Sequence, residues 1–301
     1  MNKDRVIDSI GRIDDTIENV ENLHQRPRKS RIRMRWAAVV ACITVLAIST
    51  EISSGLVSNL FAPLYGSAQT DLVNSIGVPI GASTTVEGYT LTADAIIGDR
   101  YNVAIVYTLR REDGQALPGG ICFDSCRNTV HTGSGGSSIE YRPSKDRSSI
   151  QIVETWKGAH RILPRRNAQV RFEDLVCHDK ETTQLIAEGV WELNFTVRYQ
   201  DTTVNLPVNQ LEVTGTEGLN YQIQKILLSP IGIHIDLTAP NTIDPDDPTS
   251  RVMPDFHVSL LLDDETIIQL TSASRGGGGD FDSEVLDAHY TAMFNQPIPL
   301  D

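Results

Sequence analysis

The sequence predicts a mainly β protein, with two antiparallel β-sandwich domains behind an N-terminal amphipathic helix and a single transmembrane helix. Three observations carry that expectation. Apolar residues near the N-terminus recur at helical spacing. Six basic residues in the ten from Arg26 to Arg35 abut fifteen uncharged residues from Trp36 to Thr50. Beyond Ser67 the pattern changes to short apolar–polar alternation broken by turn-rich stretches.

The first element is the amphipathic helix. In "DRVIDSIGRIDDTIENVENL" the residues Val6, Ile10, Ile13, Ile17 and Val20 form one stripe, with Ile7 and Leu23 at its margins and charged residues opposite. Gly11 weakens the helix by ~1 kcal/mol relative to alanine. A lone helix has no core of its own, so this stripe must meet something. Self-association, loose docking on a membrane surface and insertion into a groove of a cytoplasmic partner all fit the spacing.

Residues 1–35 carry nine Lys/Arg against six Asp/Glu, whereas the whole chain has a formal charge of −13. The acidic bulk excludes the broad basic footprint that nucleic acid requires, so no direct nucleic-acid contact is expected. The basic run beside an apolar segment points to a membrane instead. A cleaved signal would place a short basic region before the core and a small-residue site soon after it. Here about thirty-five residues come first, and "YGSA" lies well beyond Thr50. A permanent anchor over residues 36–52 is the better reading. Its uncharged core spans only ~22 Å as helix, so it reaches through Ile52 and could continue toward Leu64. Arg31, Arg33 and Arg35 flank it on one side, with Trp36 at the interface. No Lys or Arg occurs between Glu51 and Arg100. The positive-inside rule then puts residues 1–35 in the cytoplasm and the acidic bulk outside the cell membrane.

The outer half is read as strands. "VWELNFTVRY" alternates Trp191, Leu193, Phe195, Val197 and Tyr199 with polar residues. "IGIHIDLT" turns Ile231, Ile233, Ile235 and Leu237 inward and leaves His234 and Asp236 outside. "TLTADAII", "NVAIVYTL", "SIQIVET", "YQIQKILL", "FHVSLLL" and "TIIQLT" read as further strands, separated by turn signals such as "GDRYN" and "APNTIDPDDPTS". This gives one domain over 70–207 and a second over 211–301. The ending "HYTAMFNQPIPLD" reads as a strand and the start of another unit, so the second domain is expected to lack an edge strand.

No catalytic constellation stands out, and no cofactor or metal is expected. "HTGSGGSS" lacks the Gly-Lys-Ser/Thr ending of a phosphate loop and reads as a flexible loop. "SASRGGGGDFDSE" reads as a mobile hairpin tip. Asp244, Asp246 and Asp247 offer hard oxygens for calcium without the distal glutamate of a calcium loop. The seven histidines show no metal-binding spacing. Asn194 spells a glycosylation sequon within an alternating strand. Of the four cysteines, Cys42 lies in the apolar segment, Cys122 and Cys126 are close enough to pair if their loop folds back, and Cys177 is left over.

The order of parts, "MNKDRVIDSIGRIDD", "RWAAVVACITVLAIS", "PLYGSAQTDLVNSIG" and "VEGYTLTADAIIGDRYNVAIVYTL", resembles a family of Gram-positive membrane proteins that carry domain of unknown function 4179 and are regarded as anti-sigma-factor-like. "NYQIQKILLSPIGIHIDL" resembles the immunoglobulin-like domain that often follows, in which a final strand comes after the "PIPLD"-like end. The resemblance is clearest over residues 1–20, 34–50, 86–109 and 221–237, and its motifs are structural. Some anti-sigma factors hold zinc in the cytoplasmic domain, but residues 1–35 have only His24 and no cysteine. The resemblance implies a regulatory protein without enzymatic activity, in which an outer β sensor is coupled to an inner helix that holds a sigma factor. The alternative is an anchored envelope-binding or structural module whose cytoplasmic segment only sets topology.

Overall fold

The computed structural model describes residues 56–300, apart from 67–69, 132, 179–181, 210, 216–217, 243–257, 263–266, 271–272 and 279–282. The Val6–Val20 stripe, Cys42, Arg31, Arg33, Arg35, Trp36 and the apolar segment lie outside the described residues, as do Asp244, Asp246 and Asp247. Among the described residues no helix is long and apolar enough to cross a membrane.

The chain is mainly β. It opens with two short helices, α1 (Leu56–Tyr65) and α2 (Thr70–Ile76). Eight strands follow: β1 (Val78–Val86), β2 (Tyr89–Gly98), β3 (Asn102–Arg111), β4 (Ile121–Asn128), β5 (Gly135–Pro143), β6 (Ser149–Gly158), β7 (Asn167–His178) and β8 (Thr183–Thr196). They form a five-stranded sheet in the order β1-β2-β3-β6-β5 and a three-stranded sheet in the order β4-β7-β8. One apolar core, with Trp191, Tyr107, Phe172, Leu91 and Ile105 fully buried, joins the two sheets. Phe172 packs edge-on to Tyr107 at 5.2 Å, and Phe123 does the same to Trp191 at 5.1 Å. The Trp191 indole N–H donates to the Tyr89 carbonyl at 2.8 Å, satisfying its one polar atom.

The lack of alternation in "NVAIVYTL" has a direct cause. Val103, Ile105 and Tyr107 face that core, while Ala104 and Val106 face a second one on the other side of the sheet. Val57, Phe61 and Tyr65 of α1, with Val73 and Ile76 of α2, close this second core. The segment toward Leu64, into which the anchor could continue, is from Leu56 onward a helix packed on the sheet. Asn74 accepts from the Ser58 N–H in the first turn of α1 at 2.8 Å. Gln151 donates to the Leu60 carbonyl at 2.8 Å, and Arg142 reaches the Pro63 carbonyl.

The second lobe contains β9 (Val204–Leu206), β10 (Leu211–Thr214), β11 (Asn220–Ser229), β12 (Gly232–Pro240), β13 (Ser259–Leu261), β14 (Ile267–Gln269), β15 (Ala273–Gly278) and β16 (Val285–Met293). Its sheet runs β10-β11-β12-β16-β15, with β9 also paired to β11. Leu206 lies opposite Ile226, so the expected boundary at 207 moves upstream: β9 belongs to the second sheet. The short β13–β14 hairpin supplies Ile268 to a core with Tyr221, Ile235, Leu237 and Tyr290. β16 pairs with β12 on one side and β15 on the other.

Candidate functional site: the polar joint between the lobes

The inner face of an alternating strand packs on its own core, and its other face is free only if nothing else covers it. β12 points Ile233, Ile235 and Leu237 into the core of the second lobe. Its opposite face was expected to meet solvent, but His234 is 2% exposed. The turn between β2 and β3 and the end of β6, both from the first lobe, cover it. Tyr101 stacks on the His234 ring with centroids 3.5 Å apart and planes 5° apart. Asp236, two residues on, stays partly exposed.

The hydrogen bonds of His234 run in both directions from the ring. Nδ1 lies 2.7 Å from the Thr291 hydroxyl on β16, and Nε2 lies 2.8 Å from Asp236 Oδ1. Thr291 in turn donates to the Gly158 carbonyl at 3.0 Å, across the joint. The hydrogen bond from His234 holds the Asp236 carboxyl below its ordinary range. His289, at 6.3 Å from His234, is pushed down by burial and by the neighbouring imidazoles of His234 and His160.

A second node lies beside this one. Asp99 accepts from the Tyr101 and Asn102 backbone N–H groups, both at 2.7 Å, and from the Asn102 side chain. Its fourth donor is the Ser229 hydroxyl in the β11–β12 turn of the other lobe. Burial pushes the Asp99 carboxyl up, while these bonds favour the ionised form. Gly232 follows in the same turn. A Cβ there would lie 2.5 Å from the Ala292 carbonyl and 2.6 Å from Asn102 Nδ2, so only glycine fits without displacement.

The two glycine-rich stretches meet here as well. In each stretch part of the described residues is strand: Gly135–Ser138 begin β5, and Ala273–Gly278 form β15. A Cβ on Gly136 would touch Ser274 at 3.5 Å. Gly135 leaves room for the Trp156 indole, which a Cβ would meet at 2.5 Å. His131 stacks on that indole at 3.4 Å, and burial with nearby Arg166 holds its imidazole down at about 4.

Asp236, His234 and Thr291 spell the carboxylate–imidazole–hydroxyl order of a hydrolase triad. The geometry does not support that chemistry, because Thr291 is 0% exposed and its hydroxyl proton is already given to Gly158. The arrangement holds two lobes together through protonatable groups. Among the described residues no cluster of His, Cys, Asp or Glu could hold a metal ion.

The possible Cys122–Cys126 pairing, which needs the chain between them to fold back, is not formed. Both cysteines are free, as is Cys177. Cys122 and Cys126 lie on one continuous strand, β4, so their Cα atoms are ~13 Å apart, far beyond the ~7 Å limit for a disulfide. Burial pushes the Cys126 thiol well up, and Cys177 Sγ meets the Gly119 carbonyl at 2.9 Å. Asn194 is exposed on β8.

No protein-family model and no curated protein matches the chain. Among solved structures the chain is similar to a conserved domain protein from Bacillus anthracis, with a TM-score of 0.52 over 74% of this chain and 73% of that chain, at 16% sequence identity. At that identity the likeness is one of fold.

Proposed function

We propose that the chain is a membrane-anchored regulatory protein, anti-sigma-factor-like, whose outer β lobes sense an envelope condition and whose inner helix holds a cytoplasmic partner. The observation that carries this reading is the short stretch of sequence between the apolar segment and the folded body. Only Glu51 to Gly55 separate Thr50 from α1, a connection of five residues and at most ~18 Å. α1 is itself packed into the sheet through Val57, Phe61 and Tyr65. A rearrangement of the β body would therefore reach the apolar segment with little slack. The basic run before that segment supports a cytoplasmic N-terminus and an extracytoplasmic bulk. The immunoglobulin-like character of the second lobe belongs to this proposal too, supported by its antiparallel β11–β12–β16 centre.

The test is purification of the full chain in mild detergent from its native host, with mass spectrometry of what accompanies it. A sigma factor should co-purify with the wild type. In Ile13→Asp, Ile17→Asp it should be lost, because burying even a few such side chains at about 1.5–3 kcal/mol each supports micromolar binding. Equal recovery of every cytoplasmic protein in both samples would refute the docking role of the stripe.

A further inference from the structure

We propose that the loop between β6 and β7 docks the β body on an anionic bilayer surface, with Leu163 entering the interface and arginines meeting the phosphates. The chain as a whole is acidic, at −13, yet residues 159–166, "AHRILPRR", hold Arg161, Arg165 and Arg166 and no carboxylate. The loop is fastened to the segment after β8, which adds Arg198. Arg165 N–H donates to the Val197 carbonyl at 2.7 Å, and Val197 N–H donates to the Arg166 carbonyl at 2.8 Å. Ile162 N–H donates to the Arg100 carbonyl at 2.7 Å, which brings the β2–β3 turn alongside. Asp201 is the carboxylate that meets this group, and Arg100 engages it at 2.7 Å, with Arg161 at 3.8 Å. Among the described residues Arg165, Arg166 and Arg198 make no salt bridge.

The tip of the loop is apolar and held in place. Leu163 is 57% exposed, while its neighbour Ile162 is buried. The Tyr199 hydroxyl donates to the Ile162 carbonyl at 2.6 Å, so the leucine is presented by a fixed backbone. Pro164 and Arg165 then turn the chain, with Arg165 at φ 64°, in the left-handed region that favours glycine. An arginine kept at such a position costs backbone strain, which persists chiefly where a function needs the side chain.

The combination selects the partner. A nucleic acid needs a wider basic footprint than an acidic body offers, and a small anion gains nothing from an exposed leucine. A bilayer surface uses both features: its phosphates attract the arginines, and its interface takes the apolar tip. This inference deepens the anchored reading and rests on it for the nearness of the membrane. A tethered body meets the bilayer at high effective concentration, so a weak patch is enough.

The experiment is photolabelling of the full chain, reconstituted in vesicles that carry a photoactivatable lipid in phosphatidylcholine, with or without phosphatidylglycerol. Mass spectrometry then locates the labelled peptides. Residues 159–166 should be labelled in the anionic vesicles, and far less in the neutral ones or at high salt. Labelling should fall about fivefold for each arginine removed. Arg165→Gly should show that loss with the fold intact, because the backbone there suits glycine, and Arg165→Lys should keep the signal. The proposal is overturned if residues 159–166 label equally on neutral lipid, or if Arg165→Gly with Arg166→Gln changes nothing. An undiminished signal in Leu163→Ser also overturns it, since the partner is then a polyanion rather than a bilayer. Labelling of residues 36–52 reports the anchor separately. Label there and not at 159–166 refutes the docking loop alone, the reverse refutes the anchor alone, and label at neither refutes both.

Discussion

Asp94 shows how a single backbone irregularity creates a titratable group. The β2–β3 register shifts between Ala93 and Ala95, and the carboxylate meets the Thr108 hydroxyl at 2.6 Å. Burial raises its pKa to about 6, against the opposing pull of Thr108 and Arg110. The folded state therefore keeps a proton that the unfolded chain has already lost between pH ~4 and ~6. Stability must fall as pH rises through that window and stay lower above it. The displacement from 3.8 to about 6 corresponds to about 3 kcal/mol at most. Asp94→Asn keeps an acceptor for Thr108, and its amide faces an open depression lined by Thr90, Thr92 and Arg110. The variant should gain about 1–3 kcal/mol at pH 7 and nothing at pH 3.5 in chemical denaturation. An equal change at both pH values would show that the carboxylate is not desolvated. Nothing in "TLTADAII" signals this, because a bulge is invisible to an apolar–polar count.

At the scale of elements, legibility followed how completely one partner explains a strand's pattern. β2, β3, β6, β11 and β12 are readable because their apolar residues, Leu227 apart, meet cores. β7 carries an equally clear signal in Ala168, Val170 and Phe172, spaced by Asn167, Gln169 and Arg171. That alternation alone marks it as a strand. β5 and β15 were not readable: glycine marks turns in most contexts, and here it serves close approach between the two edge strands. α1 is the element whose role depends most on tertiary packing. Phe61 is 0% exposed and sits between the helix and the Ala95, Ala104 and Val106 face of the sheet. Phe61→Ala should cost about 3–5 kcal/mol, by lost transfer and the cavity left behind. A loss below about 1 kcal/mol in denaturant unfolding would mean that α1 does not seal the sheet.

At the scale of the whole molecule, the question is whether two lobes with separate cores behave as one body. Each lobe's own core was foreseeable from its strand periodicity, whereas the joint was not. Asp99 and Tyr101 lie in "GDRYN", which reads locally as a turn, and His234 lies on a face that reads as solvent-exposed. What fills those positions comes from the other lobe, and no local pattern encodes a partner more than a hundred residues away. The joint is also mostly polar, so its strength depends on every donor and acceptor being matched. Ser229→Ala removes one donor from the buried Asp99 carboxylate, at a cost of about 1–3 kcal/mol. Gly232→Ala adds a methyl where the Ala292 carbonyl stands 2.5 Å away. Neither change touches the central residues of either apolar core, so both lobes should remain folded on their own. The wild type should unfold in one calorimetric transition, and the double variant in two, with calorimetric and van't Hoff enthalpies that no longer agree. If the double variant still melts in a single two-state step, the lobes are coupled through Ile231 and the α1 core rather than through the polar joint.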